Sequence, residues 1–202
     1  MLPILIILFG YLAGSIPSGV WYSKYIHNVD VRTLGSGNSG GTNVGRNFGP
    51  FAAIVVVIVD VLKGFIPVLL AQQPFLSGND LVIMLTGLAA VLGHAYPLFS
   101  EFRGGKIVAT SVGVLLAFNF YTALAMIVAF FAILFTTSTV SIAAMASFLL
   151  SVIWIILNEP LVYAGGFALM AILMIYRHRD NIRRILKGDE SRVTFGLHPR
   201  KK

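Results

Sequence analysis

Long apolar runs alternate with short polar connections along this chain. Runs of about 18 or more apolar residues are typical of helices that cross a membrane. The pattern predicts about seven transmembrane helices, at residues 2–23, 50–71, 80–99, 107–118, 120–136, 141–157 and 160–177. We therefore expect an all-α integral membrane protein.

Composition supports this class. Hydrophobic residues make up 57% of the chain and charged residues 11%, whereas a soluble domain carries about 25% charged residues. The first apolar run lacks the basic start of a signal peptide, so we expect it to be retained as a helix. There is no internal repeat or long linker, and we expect residues 1–202 to form a single multipass domain.

The number of helices between residues 107 and 135 is ambiguous, because this stretch fits one long helix or two helices broken near Asn119. With two helices, 14 of the 15 lysines and arginines lie on one side of the membrane. With one, the basic C-terminal segment would face away from Arg46 and Lys106. The positive-inside rule therefore predicts seven spans, with the N-terminus outside and the C-terminus in the cytoplasm. The net charge of +7 then reflects topology, and no nucleic-acid partner is expected.

The fourth predicted span is short. Its twelve residues reach about 18 Å, against a hydrocarbon core of about 30 Å. We expect the loop before it, residues 101–106, to dip into the membrane, where irregular backbone must be buried in protein or line a polar cavity.

A glycine-rich polar segment, residues 35–49, lies between the first two apolar runs. Five glycines between Gly35 and Gly45 allow backbone N–H groups to converge on a phosphate, and the following helix N-terminus favours an anion. The candidate phosphate-binding residues are Ser36, Gly37, Asn38, Gly41, Thr42, Asn43 and Arg46.

Further polar residues lie at the same predicted side of the membrane. Arg103, Gly104, Gly105 and Lys106 form a second candidate anion loop before a helix. His178 and Asn181 follow the last apolar run, and Ser141 begins the sixth. Two anion loops indicate either two phosphates or one diphosphate.

Other polar residues have simpler explanations. We expect Asp60 and Lys63, three residues apart, to form an ion pair within the second span. His94 is interpreted as a helix-packing residue. Ser15, Pro17 and Ser18 indicate a proline kink with small-residue packing.

The sequence offers no metal or thiol chemistry. The chain has no cysteine. Its histidines lack the clustering of a zinc site; they are His27, His94, His178 and His198. We expect no metal and no cofactor.

Five segments together resemble the bacterial acyl-phosphate:glycerol-3-phosphate acyltransferases of the PlsY type. These segments are residues 14–19, 35–46, 60–64, 93–97 and 103–106. The third family loop often reads Phe-Lys-Gly-Gly-Lys-Gly, and this chain differs by having Arg103 and Ile107.

The resemblance implies an enzyme of the bacterial inner membrane with its active site facing the cytoplasm. Its partners would be the lipid bilayer, a membrane-embedded acyl phosphate and glycerol 3-phosphate. The acyl group would pass to the 1-hydroxyl, giving 1-acylglycerol 3-phosphate (lysophosphatidic acid) and phosphate. No cofactor is implied, and a monomer is expected because one chain can supply the site.

The resemblance also suggests residue roles. Ser36, Thr42 and Asn43 would hold one phosphate, with Arg46 neutralising charge in the tetrahedral intermediate. Lys106 and the amides of Gly104 and Gly105 would hold the second phosphate or the oxyanion. His178 and Asn181, with Ser141, would position glycerol 3-phosphate. The base is either His178 or a substrate phosphate, and the phosphate is preferred because no well-placed carboxylate is evident.

Two other functions fit the pattern less well. A transporter of a phosphorylated solute would explain polar loops at membrane depth, but no inverted repeat is present and the polar residues gather on one side. A membrane scaffold that binds lipid headgroups would explain the basic C-terminal segment, but not the concentration of Ser, Asn and Thr.

Overall fold

The computed structural model describes residues 1–76 and 78–199, and within these ranges all regular secondary structure is helical. The α-helices are α1 (Leu2–Gly14), α2 (Ser18–His27), α3 (Gly41–Phe48), α4 (Pro50–Ala71), α5 (Asp80–Ala95), α6 (Val108–Phe118), α7 (Phe120–Thr137), α8 (Val140–Asn158), α9 (Leu161–Arg177) and α10 (Arg179–Lys187). Short 3₁₀ turns occur at Val31–Thr33 and Leu98–Ser100. The all-α prediction is confirmed.

Several helical segments are long and apolar enough to cross a membrane. Four qualify alone: Pro50–Ala71, Asp80–Ser100, Phe120–Thr137 and Val140–Asn158. Two bent pairs, α1 with α2 and α9 with α10, bring the number to six if each pair forms one span. The predicted fourth span corresponds to α6, an apolar helix of only eleven residues. Length and composition thus support four to six spans among the described residues.

The first predicted span is a broken helix. α1 ends at Gly14, α2 begins at Ser18, and the two axes differ by 41°. Pro17 lies at the break. It interrupts the helix because proline has no N–H to donate and disfavours helical backbone in the residue before it. The predicted proline kink is confirmed, and α2 continues to His27, beyond the expected end of the span.

The glycine-rich segment contains a helix of its own, α3, which the sequence pattern did not predict. α3 is separated from α4 by Gly49, whose φ of 92° is a conformation that suits glycine. Pro50 then occupies the first turn of α4, where its missing N–H is not needed. Only residues 35–40 therefore remain as loop, and we call them the first glycine loop.

A break at Asn119 separates α6 from α7, as the sequence predicts. The side-chain oxygen of Asn119 accepts a hydrogen bond of 3.0 Å from the N–H of Thr122. This is an N-cap, so the chain starts a new helix instead of extending α6.

The described chain divides into two compact units. In the first, Met1–Phe118, α4 packs against α6 and α1 packs against α5. These backbones approach so closely that a Cβ on Gly14 would overlap Ala90, and one on Gly64 would overlap Thr110, as expected where small residues mediate membrane helix packing. In the second unit, from Asn119 onward, α8 packs against both α7 and α9.

Candidate functional site

The first glycine loop is shaped by the buried side chain of Asn43. Its amide nitrogen donates to the carbonyls of Val31, Leu34 and Asn38 at 2.9–3.1 Å. Its amide oxygen accepts the N–H of Ser36 at 3.0 Å. Asn43 is only 2% exposed. Both ends of its amide are thus engaged in holding the loop, which argues against the direct substrate contact predicted for it.

The predicted anion-binding groups lie on α3 and in the loop before it, with Thr42 in the first turn of the helix and Arg46 in the last. Ser36, Thr42 and Arg46 are exposed. Gly41 and Thr42 begin the helix, and within the described chain no hydrogen bond to either amide N–H is found. Such N–H groups at a helix N-terminus favour an anion.

Two other members of this loop have internal roles. Gly37 has a φ of 69° and donates its N–H to Leu34. The side-chain oxygen of Asn38 accepts the N–H of Gly40 at 2.8 Å. These bonds fix the path of the loop and indicate a structural contribution of Gly37 and Asn38.

The second glycine loop, residues 101–107, leaves the Leu98–Ser100 turn through left-handed backbone. Glu101 and Phe102 have φ values of 55° and 57°. The N–H of Arg103 donates to the carbonyl of Ser100 at 3.0 Å. Ile107 ends the loop, with a φ of 61°. Left-handed backbone is uncommon outside glycine and costly for a β-branched residue, so this loop is conformationally strained at Ile107.

Gly104 and Gly105 lie directly on His94 of α5. The N–H of Gly105 donates to the His94 carbonyl at 3.1 Å. A Cβ on Gly104 would overlap that carbonyl, and a Cβ on Gly105 would overlap the imidazole. The glycine pair therefore permits this close approach, and because the Gly105 N–H is engaged, its predicted use as an anion donor is not favoured.

A buried polar cluster lies within the first unit. One carboxylate oxygen of Asp60 lies 2.8 Å from Lys63 Nζ, 2.5 Å from Ser18 Oγ and 3.6 Å from His94 Nδ1. Lys63 Nζ also donates to the Ile16 carbonyl at 2.8 Å. The predicted Asp60–Lys63 ion pair is confirmed. His94 is more than a helix-packing residue, since it contacts both this pair and the second glycine loop.

A small recess of about 10 Å³ lies beside this cluster. Its lining comes from both glycine loops and from the kink at the start of α2. The lining residues are Ile16, Pro17, Ser18, Ser39, Lys63, His94, Pro97 and Gly104. Lys63 of the buried ion pair thus lines the same recess as Ser39 of the first loop and Gly104 of the second.

In the second unit, one carboxylate joins two predicted site residues. Oε1 of Glu190 accepts hydrogen bonds from Ser141 at 2.7 Å and from Asn181 at 2.6 Å, while Oε2 accepts from Arg184 at 2.7 Å. Burial raises the pKa of the Glu190 carboxyl, but these hydrogen bonds outweigh it and hold the pKa below its ordinary value of 4.5. The ionised carboxylate of Glu190 therefore accepts both hydrogen bonds and orients Ser141 and Asn181.

His178 lies at the junction of α9 and α10 and is 2% exposed. Its Nδ1 is 2.8 Å from the carbonyl of Met174. Because a carbonyl only accepts, the neutral ring carries its proton on Nδ1. The lone pair of the neutral imidazole then resides on Nε2, the atom that would act as a base.

Similarity to known proteins shows which family this chain belongs to. The family model described as glycerol-3-phosphate acyltransferase matches residues 4–188. The chain belongs to the glycerol-3-phosphate acyltransferase family. The family resemblance and the enzyme class expected from the sequence are confirmed, and the transporter alternative is not favoured.

Relatives and solved structures agree with this membership. A glycerol-3-phosphate acyltransferase of Bacillus cytotoxicus is 43% identical over 191 residues, covering 95% of each chain. One from Limosilactobacillus reuteri is 45% identical over 197 residues, covering 95% of this chain and 91% of its own. The crystal structure of PlsY (YgiH), an integral membrane glycerol 3-phosphate acyltransferase, matches in its glycerol 3-phosphate form with a TM-score of 0.90 and 38% identity, covering 95% of each chain. Its lysophosphatidic acid form matches with a TM-score of 0.87 and 37% identity, covering 94% of each chain.

The sequence did not predict several contacts of the candidate site residues in this acyltransferase. Glu190 stands in the charged C-terminal segment, where no spacing rule marks it. Ser18 was interpreted only as part of a kink, although its hydroxyl reaches Asp60. The available signal was indirect: Ser18, Asp60 and His94 fall in three of the five segments that carry the family resemblance.

Proposed function

We propose that this acyltransferase takes its acyl group from an acyl phosphate and transfers it to the 1-hydroxyl of glycerol 3-phosphate. The observation that carries the proposal is the similarity to PlsY in two forms, one with glycerol 3-phosphate and one with lysophosphatidic acid. These molecules differ by one acyl group, as acceptor and product of a single transfer. An acyl phosphate donor adds a second phosphate, which suits a chain with two glycine loops.

The reaction balances without a covalent enzyme intermediate. The 1-hydroxyl oxygen attacks the carbonyl carbon of the acyl phosphate and forms the new ester bond. The bond from that carbon to the phosphate oxygen breaks, and its electron pair leaves on phosphate. The hydroxyl proton also ends on phosphate, so the products are 1-acylglycerol 3-phosphate and inorganic phosphate.

In the first unit, the start of α3 would bind one phosphate. The hydroxyls of Ser36 and Thr42 and the N–H groups of Gly41 and Thr42 are the proposed donors. Exposed Arg46 would neutralise the charge that develops on the tetrahedral intermediate, an electrostatic contribution of the kind worth about 10²–10³ in rate per donor. Asn43, with Gly37 and Asn38, would shape the loop and not contact the substrate.

The second glycine loop would bind the other phosphate through its cations. Lys106 and Arg103 are the proposed phosphate ligands. Gly104 and Gly105 would let the loop follow its path over His94, which defines where these cations lie.

In the second unit, His178, Asn181 and Ser141 would position glycerol 3-phosphate. Asn181 and Ser141 are fixed by Glu190, which supports a preorganised arrangement. We propose that a substrate phosphate accepts the hydroxyl proton and that His178 acts as a hydrogen-bonding group. A His178→Gln variant then keeps the wild-type shape of its pH–rate profile, whereas loss of the acidic limb of that profile would assign the base to His178.

The same proposal includes a topology and an assembly. Residues 1–202 would act as one monomeric domain with seven spans in a bacterial inner membrane, with the N-terminus outside and the site facing the cytoplasm. The confinement of 14 of 15 lysines and arginines to one predicted side supports it. Because the chain has no cysteine, single cysteines at Gly78 and Thr33 allow a direct test: a membrane-impermeant maleimide added to intact cells should label the first and spare the second.

Phosphate release by the purified protein in lipid tests the reaction itself. Release should require both acyl phosphate and glycerol 3-phosphate, yield a monoacyl product, and fall at least about 10²-fold in Arg46→Ala. Arg183→Gln is the matched control, since its exposed ion pair with Asp180 lies outside the proposed site. Product formation with acyl-carrier thioesters but not with acyl phosphate would reject the proposed donor.

A further inference from the structure

Arg32 connects the segments that lead into the two glycine loops. Its backbone lies in the Val31–Thr33 turn, just before the first loop. Its guanidinium Nη1 donates to the carbonyl oxygen of Ser100 at 3.2 Å and to its hydroxyl at 3.0 Å. Ser100 ends the Leu98–Ser100 turn, immediately before the second loop. A single side chain therefore bridges positions that are 68 residues apart in sequence.

Asp30 fixes the orientation of this guanidinium. Its carboxylate accepts hydrogen bonds from Arg32 Nε at 3.0 Å and Nη2 at 2.7 Å, and from the Arg32 backbone N–H at 3.0 Å. The side-chain hydrogen bonds from Arg32 hold the pKa of Asp30 well below its usual range, so the acceptor stays ionised. An arginine suits this position, because its planar guanidinium donates to Asp30 and Ser100 from separate nitrogen atoms.

Both ends of the bridge continue into the loops by hydrogen bonds. On one side, the carbonyl of Val31, adjacent to Arg32, accepts the Asn43 amide that shapes the first loop. On the other, the carbonyl of Ser100 also accepts the N–H of Arg103 in the second loop. A displacement of Arg32 would therefore change the spacing of the loops and not only the local turn.

We propose that Arg32 is a positioning residue that sets the distance between the two glycine loops. The proposal rests on the proposed function for its kinetic consequence, because each loop is assigned one phosphate there. Ordinary cationic anchoring at the membrane surface does not account for Arg32, whose side chain is 17% exposed and directed between two turns. Lys24, which pairs with the same carboxylate at 3.2 Å, is 50% exposed and fits that role.

Steady-state kinetics of Arg32→Gln against Lys24→Gln provide the first test. Misplacing groups by about 1 Å can lower turnover about 10²-fold, so we expect Arg32→Gln to lower kcat by roughly 10–100-fold while each KM changes less than about threefold. Lys24→Gln removes a cation beside Asp30 but keeps the bridge, and should stay within about twofold of wild type. Added guanidinium should partly restore kcat in Arg32→Ala, whereas methylammonium should not.

Three kinetic results would overturn the proposal. A rise in one KM with unchanged kcat would identify Arg32 as a substrate ligand. Equal losses of kcat in Arg32→Gln and Lys24→Gln would show that the effect comes from the local positive charge and not from the bridge. Loss of kcat with a parallel fall in Tm, and no rescue by guanidinium, would reduce it to folding.

A second measurement is independent of turnover. Spin labels on Ser36→Cys and Phe102→Cys, both at exposed loop positions, report the spacing of the loops by dipolar EPR. We expect Arg32→Gln to shift or broaden the distance distribution and Lys24→Gln to leave it unchanged. An unaltered distribution in Arg32→Gln would refute the proposal even if the enzyme used a different acyl donor; failure of wild-type transfer from acyl phosphate would reject the proposed function alone.

Discussion

Asp60 and Lys63 form an ion pair of 2.8 Å on α4, with side chains that are 3% and 4% exposed. In such a buried pair, each charge depends on the other, because an unpaired ion in a low-dielectric interior is strongly unfavourable. The pair also supports Ser18 and His94, so the stability of the first unit is tied to the surroundings of the glycine loops.

Neutralising one member of this pair should therefore cost more than neutralising both. We expect Asp60→Asn to lower the free energy of unfolding by about 3–5 kcal/mol, because Lys63 is left as a buried unpaired charge. The double variant Asp60→Asn/Lys63→Met should recover much of that loss. Thermal unfolding in one detergent compares them, and a double variant less stable than Asp60→Asn would contradict the prediction.

Asn43 should behave as a structural residue of its loop, unlike its neighbours. Asn43→Asp removes the donor to three carbonyls and should reduce both activity and stability, the latter by about 1–3 kcal/mol for buried groups left unsatisfied. Thr42→Ala, at an exposed position, should lower activity with an unchanged Tm. Turnover and Tm should be measured for both variants. If both lose activity and have equal Tm values, Asn43 would be a direct substrate ligand.

At Ile107, substitution by glycine should destabilise the protein less than substitution by alanine. It is fully buried, so both Ile107→Ala and Ile107→Gly lose packing. However, its φ of 61° costs an L-residue about 1–2 kcal/mol and costs glycine little. We expect the glycine variant to be the more stable of the two by about 1 kcal/mol, although glycine is the weaker residue within helices. Measuring the free energy of unfolding of both variants tests this order. Val108→Ala and Val108→Gly in the adjacent helix α6 are the control, since in ordinary helical backbone the alanine variant should be the more stable.

Stability at acid pH should depend on Glu190. Its folded-state pKa is depressed below 4.5, so the unfolded state binds the proton more readily, and stability falls as pH decreases from about 4.5 through the lower folded value. Above pH 5 the contribution is fully present. We expect the stability difference between wild type and Glu190→Gln to be constant above pH 5 and to shrink below it. A difference that does not vary between pH 6 and pH 3.5 would show that the carboxylate charge is irrelevant to the contact.

The sequence was sufficient where a periodic or counting argument applies. The break at Asn119 followed from the distribution of lysines and arginines, and the Asp60–Lys63 pair followed from helical spacing. The first argument needs only a count of charges along the chain and the second only the spacing within one helix, so neither depends on a contact between distant segments.

It was insufficient where hydrogen bonds join distant segments. Helical periodicity shows that His94 is buried, but not that Gly105 rests on its imidazole. The polar character of Asn43 indicates a binding residue equally well whether its amide faces a phosphate or its own loop. Glu190 and Ser141 lie 49 residues apart, and no local rule relates them.

The spacing of Asp60 and Lys63 also bears on how the protein enters the membrane. The two residues share one face of α4, so their charges can neutralise each other while that helix is still alone in the bilayer. The insertion machinery then handles a segment of no net charge, before His94 arrives on the following helix α5. Biogenesis of the first unit can thus proceed in two stages, with insertion complete before the support for the glycine loops is assembled.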